Sequence, residues 1–223
     1  MSQPVRPYQP LLLRLLHGLS AVLVLLAIIS GFWVYNTYDK RWGSLPLPNL
    51  NDIQGIHGTI ALTFFLFLPV FALYSFHLGS HRLLQTPALS QFQQVGKPIW
   101  WVSLHRLGNT IMLISATLAV ITGRMMKEEW LPAGEMNHLA YLGHLLAWLG
   151  IVISLALHLL LGVKVGGIPL LTSMFALDRR EEDQLRFWRR GLQFPVSDHI
   201  LKITETLVLG GIIIALILPL FSS

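Results

Sequence analysis

Five apolar runs, each about as long as a helix that crosses a bilayer, constrain this chain more than any other feature. They cover residues 11–35, 54–76, 101–122, 138–161 and 200–220. A hydrocarbon core of roughly 30 Å calls for about 20 residues of helix. Inside that core each backbone N–H and C=O must find its partner within the segment, which a helix achieves and an open strand does not. Charged residues are only 12% of the chain, about half the share usual in soluble domains. The expected fold class is therefore all-α: an integral membrane four-helix bundle with an additional fifth C-terminal transmembrane helix. We divide it as residues 1–165 for the bundle, 166–199 for a cytoplasmic connecting segment and 200–223 for the fifth helix.

The first run carries Arg14 and His17 and exceeds the roughly 7–15 residues of a signal-peptide core, so it reads as a retained span. The connections, 36–53, 77–98, 123–137 and 164–199, hold the Gly, Pro and charge clusters that suit an interface. Of the 16 Lys and Arg, only Lys40, Arg41, Arg124 and Lys127 fall on the side away from the N-terminus. Cytoplasmic loops are the ones rich in Lys and Arg, so the N-terminus is expected in the cytoplasm, in a bacterial plasma membrane or a photosynthetic internal membrane. Trp33, Trp42, Trp100, Trp101 and Trp130 lie near span ends, as interfacial aromatics do. Residues 178–190 mix acids and bases and read as a solvated surface helix, with a docking surface as the alternative.

The chain has no cysteine, which excludes disulfides, cysteine-ligated iron–sulfur clusters and thioether-attached haem. It has nine histidines. Two of them, His144 and His158, lie fourteen residues apart on the fourth span. That spacing is roughly 21 Å along a helix and returns to within about 40° of the same face. One imidazole then sits near each membrane surface, a geometry suited to two non-covalent haem b groups stacked across the bilayer. Each iron wants a second axial base. At the outer depth His57, in Gly55-Ile56-His57-Gly58, can meet His144. At the inner depth His17, in Arg14-Leu15-Leu16-His17-Gly18, can meet His158. His105 and His77 lie at the inner depth too and could replace His17, whereas neither reaches the depth of His57.

Gly18 and Gly58 adjoin proposed ligands and would let a flat macrocycle approach closely. Arg14 is the natural partner for an inner propionate, with Arg124 and Asn51 as outer candidates. His105 and His77 are candidates for proton exchange with a quinone. Read one by one, His105 is a packing residue, and His77, His81, His138 and His199 are solvated. A different class of reading makes the chain a His-lined metal or proton transporter. Against it, the spans hold almost no carboxylate, Glu205 being the main exception, and hard or divalent cations prefer such ligands.

At these residues the chain resembles the bacterial four-helix, diheme cytochrome b561 family. It is also similar to the b-type cytochrome subunits that anchor membrane hydrogenases and formate dehydrogenases. The resemblance rests on Arg14 to His17 opening span one, His57-Gly58 opening span two, the His144–His158 spacing, and a third span with His105 early and Thr122-Gly123 at its end. It covers about residues 8–165. It implies haem ligands from spans one, two and four, and electron transfer between a membrane quinone pool and a redox partner. If the chain is an enzyme, it is a quinone-linked oxidoreductase. The partners it implies are membrane lipid, quinone, and a redox protein or dehydrogenase subunit, with a homodimer as a further assembly and no nucleic acid. The chain departs from the family in its fifth span. It also departs in the run Leu159-Leu160-Leu161-Gly162-Val163-Lys164, which lacks a further histidine.

Overall fold

A computed structural model describes residues 9–176, 183 and 196–220. The described backbone is helical, with no strand. Helix α1 runs Leu11–Tyr38, α2 Ile53–His77, the short α3 Pro87–Gln91, α4 Pro98–Met125, α5 Leu139–Ser173 and α6 His199–Ile217. All but α3 are long and apolar enough to cross a membrane.

The helix starts follow local chemistry. Asp52 caps α2, its side chain accepting from the Gly55 amide at 3.2 Å. Proline at the first position opens α4, where its missing N–H costs nothing. Asp198 caps α6 through the Leu201 amide at 3.1 Å. Its other oxygen accepts from the Thr86 amide at 2.9 Å, tying the start of α6 to the α2–α4 connection.

The fourth span differs from the expectation. Helical backbone continues beyond residue 161 to Ser173, interrupted at Gly167, whose φ of 67° and ψ of −174° break the helix ahead of Pro169. The apolar run alone missed this second piece because Lys164 and two consecutive glycines interrupt its hydropathy, not its capacity for helix. Residues 178–190 lie outside the described residues except for Asp183. Its carboxylate accepts from the Leu11 amide at 2.7 Å and pairs with Arg14 at 3.7 Å, closing the first turn of α1.

Lateral packing is most extensive between α4 and α5, then between α1 and α2, and α6 lies against α4 and α2. The shared core contains Leu68, Phe76, Leu113, Val208 and Ile212. Small polar residues fill the tight contacts: Ser20, Ser30, Ser103, Thr110, Thr117 and Ser154 are buried, as expected where helices associate in lipid by close approach. Large apolar side chains such as Leu15, Leu66, Leu146, Leu160 and Ile213 point outward. In water that surface would drive aggregation; hydrocarbon accommodates it. The protein is an integral membrane helical bundle.

One histidine expected in solvent is not there. His77, on the last turn of α2, is 6% exposed, and its Nε2 lies 2.9 Å from Glu205 of α6. The fifth span packs on α2 and removes water from both groups. Deleting a charged hydrogen-bonding partner from a buried site costs about 1–3 kcal/mol. Glu205→Ala should therefore lower the melting temperature of the detergent-solubilised protein by several degrees. Glu205→Gln, which keeps a hydrogen-bonding oxygen, should recover part of the loss. Equal melting of all three proteins would show that this contact does not hold α6.

Candidate functional site

The bundle brings the predicted imidazoles together in two places. At the end distal to the N-terminus, His57 from the second turn of α2 faces His144 from the second turn of α5. Their ring centroids are 6.1 Å apart with planes at 78°. At the proximal end, His17 of α1 faces His158 of α5, with centroids 5.9 Å apart and planes at 35°.

These separations allow a test of fit. An imidazole nitrogen binds a metal ion at about 2 Å, and the ring centroid lies about an ångström behind it, so two rings sharing one ion have centroids roughly 6 Å apart. Both pairs match. Among the described residues no group of three or more His, Cys, Asp or Glu converges on one point. Two ligands per centre suit a macrocycle that brings its own four nitrogens better than a bare cation.

The second nitrogen of three rings is already committed. His144 Nδ1 lies 3.0 Å from the Ala119 carbonyl and 3.1 Å from Thr122 Oγ1. A carbonyl only accepts, so Nδ1 carries the proton. His57 Nδ1 lies 2.9 Å from Ser30 Oγ, whose hydroxyl donates to the Leu26 carbonyl at 2.7 Å. Ser30 therefore accepts from His57. His158 Nδ1 lies 2.7 Å from Asn109 Oδ1, and the Asn109 amide nitrogen donates to the Arg82 carbonyl at 2.9 Å. All three rings are thus held as the tautomer with a bare Nε2, the form that binds a metal.

These acceptors were not read from the sequence. Ser30 and Asn109 left a faint signal, as polar residues inside apolar spans. The Ala119 carbonyl left none, because any residue supplies one. Helix α4, which contributes neither half of either pair, holds both α5 histidines, His158 from Asn109 in its middle and His144 from Ala119 and Thr122 near its end.

A cavity of about 590 Å³ adjoins the distal pair, lined by Gly31, Phe32, Tyr141, Trp148 and both imidazoles. Its size falls within the range of small-molecule and cofactor sites, and its mostly apolar walls are typical of them. Trp148 is oriented by its indole N–H, which donates to the Ile28 carbonyl at 3.1 Å. A polar network begins at Tyr141 on the cavity wall. The buried Asp39 carboxylate accepts from Arg41 Nε at 2.7 Å and from the Tyr141 hydroxyl at 2.8 Å. Arg41 also donates to the Met136 carbonyl at 2.7 Å, joining the α1–α2 and α4–α5 connections. The hydrogen bond to Asp39 raises the Arg41 guanidinium above its ordinary value.

The glycines sort differently from their order in the chain. Gly18 and Gly58 follow the histidines in sequence, yet a side chain at either would meet nothing within 4 Å. The rings lie instead against Gly31 and Gly123. A Cβ at Gly31 would fall 3.1 Å from His57 Cε1, and one at Gly123 3.3 Å from His144 Cε1.

The remaining candidates are placed as follows. Arg14 is buried one turn from His17, with its guanidinium on Asp183 and on the Ala176 carbonyl. Arg124 and Asn51 are exposed at the distal end. His105 is half-buried, with Nε2 3.3 Å from His158 Nδ1. It therefore lies on the side of that ring already engaged by Asn109. His81 and His199 are exposed, and His138 is partly covered, stacked 3.7 Å from the Trp130 ring and bonded to Glu135.

A membrane bundle with imidazoles paired across its helices is the frame of a membrane cytochrome b. Residues 8–176 match the family described as prokaryotic cytochrome b561, and the chain belongs to that family. No curated protein and no solved structure matches it. Family membership makes the chain a transmembrane electron-transfer protein that carries b-type haem.

Proposed function

We propose that the chain holds two haem b groups, one between His57 and His144 and one between His17 and His158, and passes electrons across the membrane between them. The observation that carries this reading is the recurrence, fourteen residues apart along α5, of an imidazole pair about 6 Å between centroids. When bound, haem supplies reversible one-electron chemistry at its iron, and the protein contributes ligation, orientation and dielectric. Ser30, Ala119, Thr122 and Asn109 fix the ligand tautomers, so little reorganisation is needed when charge arrives. Phe32 and Trp148 keep water from the distal pocket, and the Asp39–Arg41–Tyr141 hydrogen bonds tie the distal connections together. Roughly 21 Å of helix between His144 and His158 supports one centre near each surface. The excess of Lys and Arg at the proximal end supports a cytoplasmic N-terminus. A pyridine haemochrome assay of the purified protein should give two haem b per chain, with a reduced-minus-oxidised spectrum of b type. One haem per chain would overturn the two-centre reading.

The electron partner in this proposal is a membrane quinone exchanging at the proximal end, where His105 stands beside His158 and can hand on a proton. His105→Ala should slow quinone-linked turnover with both haems retained. Unchanged turnover would remove His105 from the path.

A further inference from the structure

We infer that Asn109 is a positioning residue that sets the reduction potential of the proximal centre through Nδ1 of His158. The inference rests on His158 being an axial ligand, as proposed above. An axial imidazole that gives its second N–H to a good acceptor becomes a stronger base toward the iron, which favours the oxidised state and lowers the potential.

Asn109 is built for that task. Its Oδ1 lies 2.7 Å from His158 Nδ1, shorter than the 3.0 Å from His144 Nδ1 to the Ala119 carbonyl at the distal centre. The amide cannot turn over, because its nitrogen donates at 2.9 Å to the Arg82 carbonyl in the turn after α2. Reversed, it would set an N–H against the N–H of His158. The two ligands on α5 thus differ in kind. His144 donates to the main chain, which no substitution alters, supplemented by a threonine hydroxyl. His158 donates to a side chain, with His105 Nε2 as a longer second neighbour at 3.3 Å. On the proximal centre, position 109 is therefore where sequence can tune the potential through His158, as Ser30 is for His57 at the distal one.

The test is a potentiometric titration of the purified, haem-loaded full chain with Asn109→Asp and Asn109→Leu. A carboxylate accepts more strongly than an amide and should move the proximal midpoint to more negative values. Leucine accepts nothing and should move it to more positive values. The distal midpoint should stay in place in both, and both haems should be retained. Shifts of the same sign, no shift, equal movement of both centres, or loss of the proximal haem in both variants would each overturn the inference and leave Asn109 a packing residue. A haemochrome count on the wild type and on His158→Ala separates the two levels. If His158→Ala keeps both haems, the ligand assignment itself fails. If it loses one while the Asn109 variants stay silent, only the tuning role falls.

Discussion

Replacing His144 by alanine is expected to remove one haem and leave the other, and replacing His158 should remove the complementary one. Each substitution deletes one imidazole of one pair. The partner ring, His57 or His17, remains, but a single axial nitrogen does not hold the low-spin state that two give. The haemochrome count should fall to about half in each variant. The two difference spectra, added, should reproduce that of the parent. The bundle should survive, because both histidines are only half-buried and α4 and α5 form the most extensive helix–helix packing in the bundle. Cavity-forming changes at such sites usually cost less than full core truncations of about 2–5 kcal/mol. If either variant keeps two haems, its histidine is not an axial ligand. If both variants lose both haems with the fold intact, the centres are not independent.

Gly31→Val should act on the distal centre alone, and nearly as strongly. The Cβ would already stand 3.1 Å from His57 Cε1 and 3.5 Å from Trp148 Cδ1, and valine adds two methyl groups on a stiff χ1. His57 is held at the adjacent Nδ1 by Ser30 at 2.9 Å, so the ring can withdraw only by stretching that bond. The distal haem should be lost or bound many-fold more weakly, with the proximal haem unchanged. Gly210→Ala makes the control, since its Cβ would meet open space on α6, which carries neither imidazole pair, and it should retain both haems. Normal haem content in Gly31→Val would show that the ring has room the geometry denies it.

Much of this architecture was legible in the sequence because lipid imposes harsh rules. Apolar runs long enough to cross the bilayer can only be helices there, so the order and number of spans follow from hydropathy. The fourteen-residue spacing of His144 and His158 follows from helical periodicity, and it put His144 at the depth of His57 and His158 at the depth of His17, with His77 and His105 also open at that end. The structure places His17 and His57 5.9 and 6.1 Å from those rings. Hydropathy failed where it ceased to track backbone conformation. The helix persisted past Lys164 to a break at Gly167, and His77 was drawn out of solvent by Glu205 from a span far along the chain.

What the sequence determined by itself is the set of periodic facts: five spans, their depths, and the depth of each histidine. What only the tertiary structure decided is azimuth, meaning which face of each helix meets which neighbour. The glycines packed on the rings are Gly31 and Gly123 across the interface, whereas Gly18 and Gly58 beside the ligands border open space. The groups that orient the rings include a main-chain carbonyl at Ala119, which has no signature in any side chain. Depth follows from rise per residue along one helix, a local quantity. Facing depends on the rotation and packing of several helices at once, and no single helix carries that information.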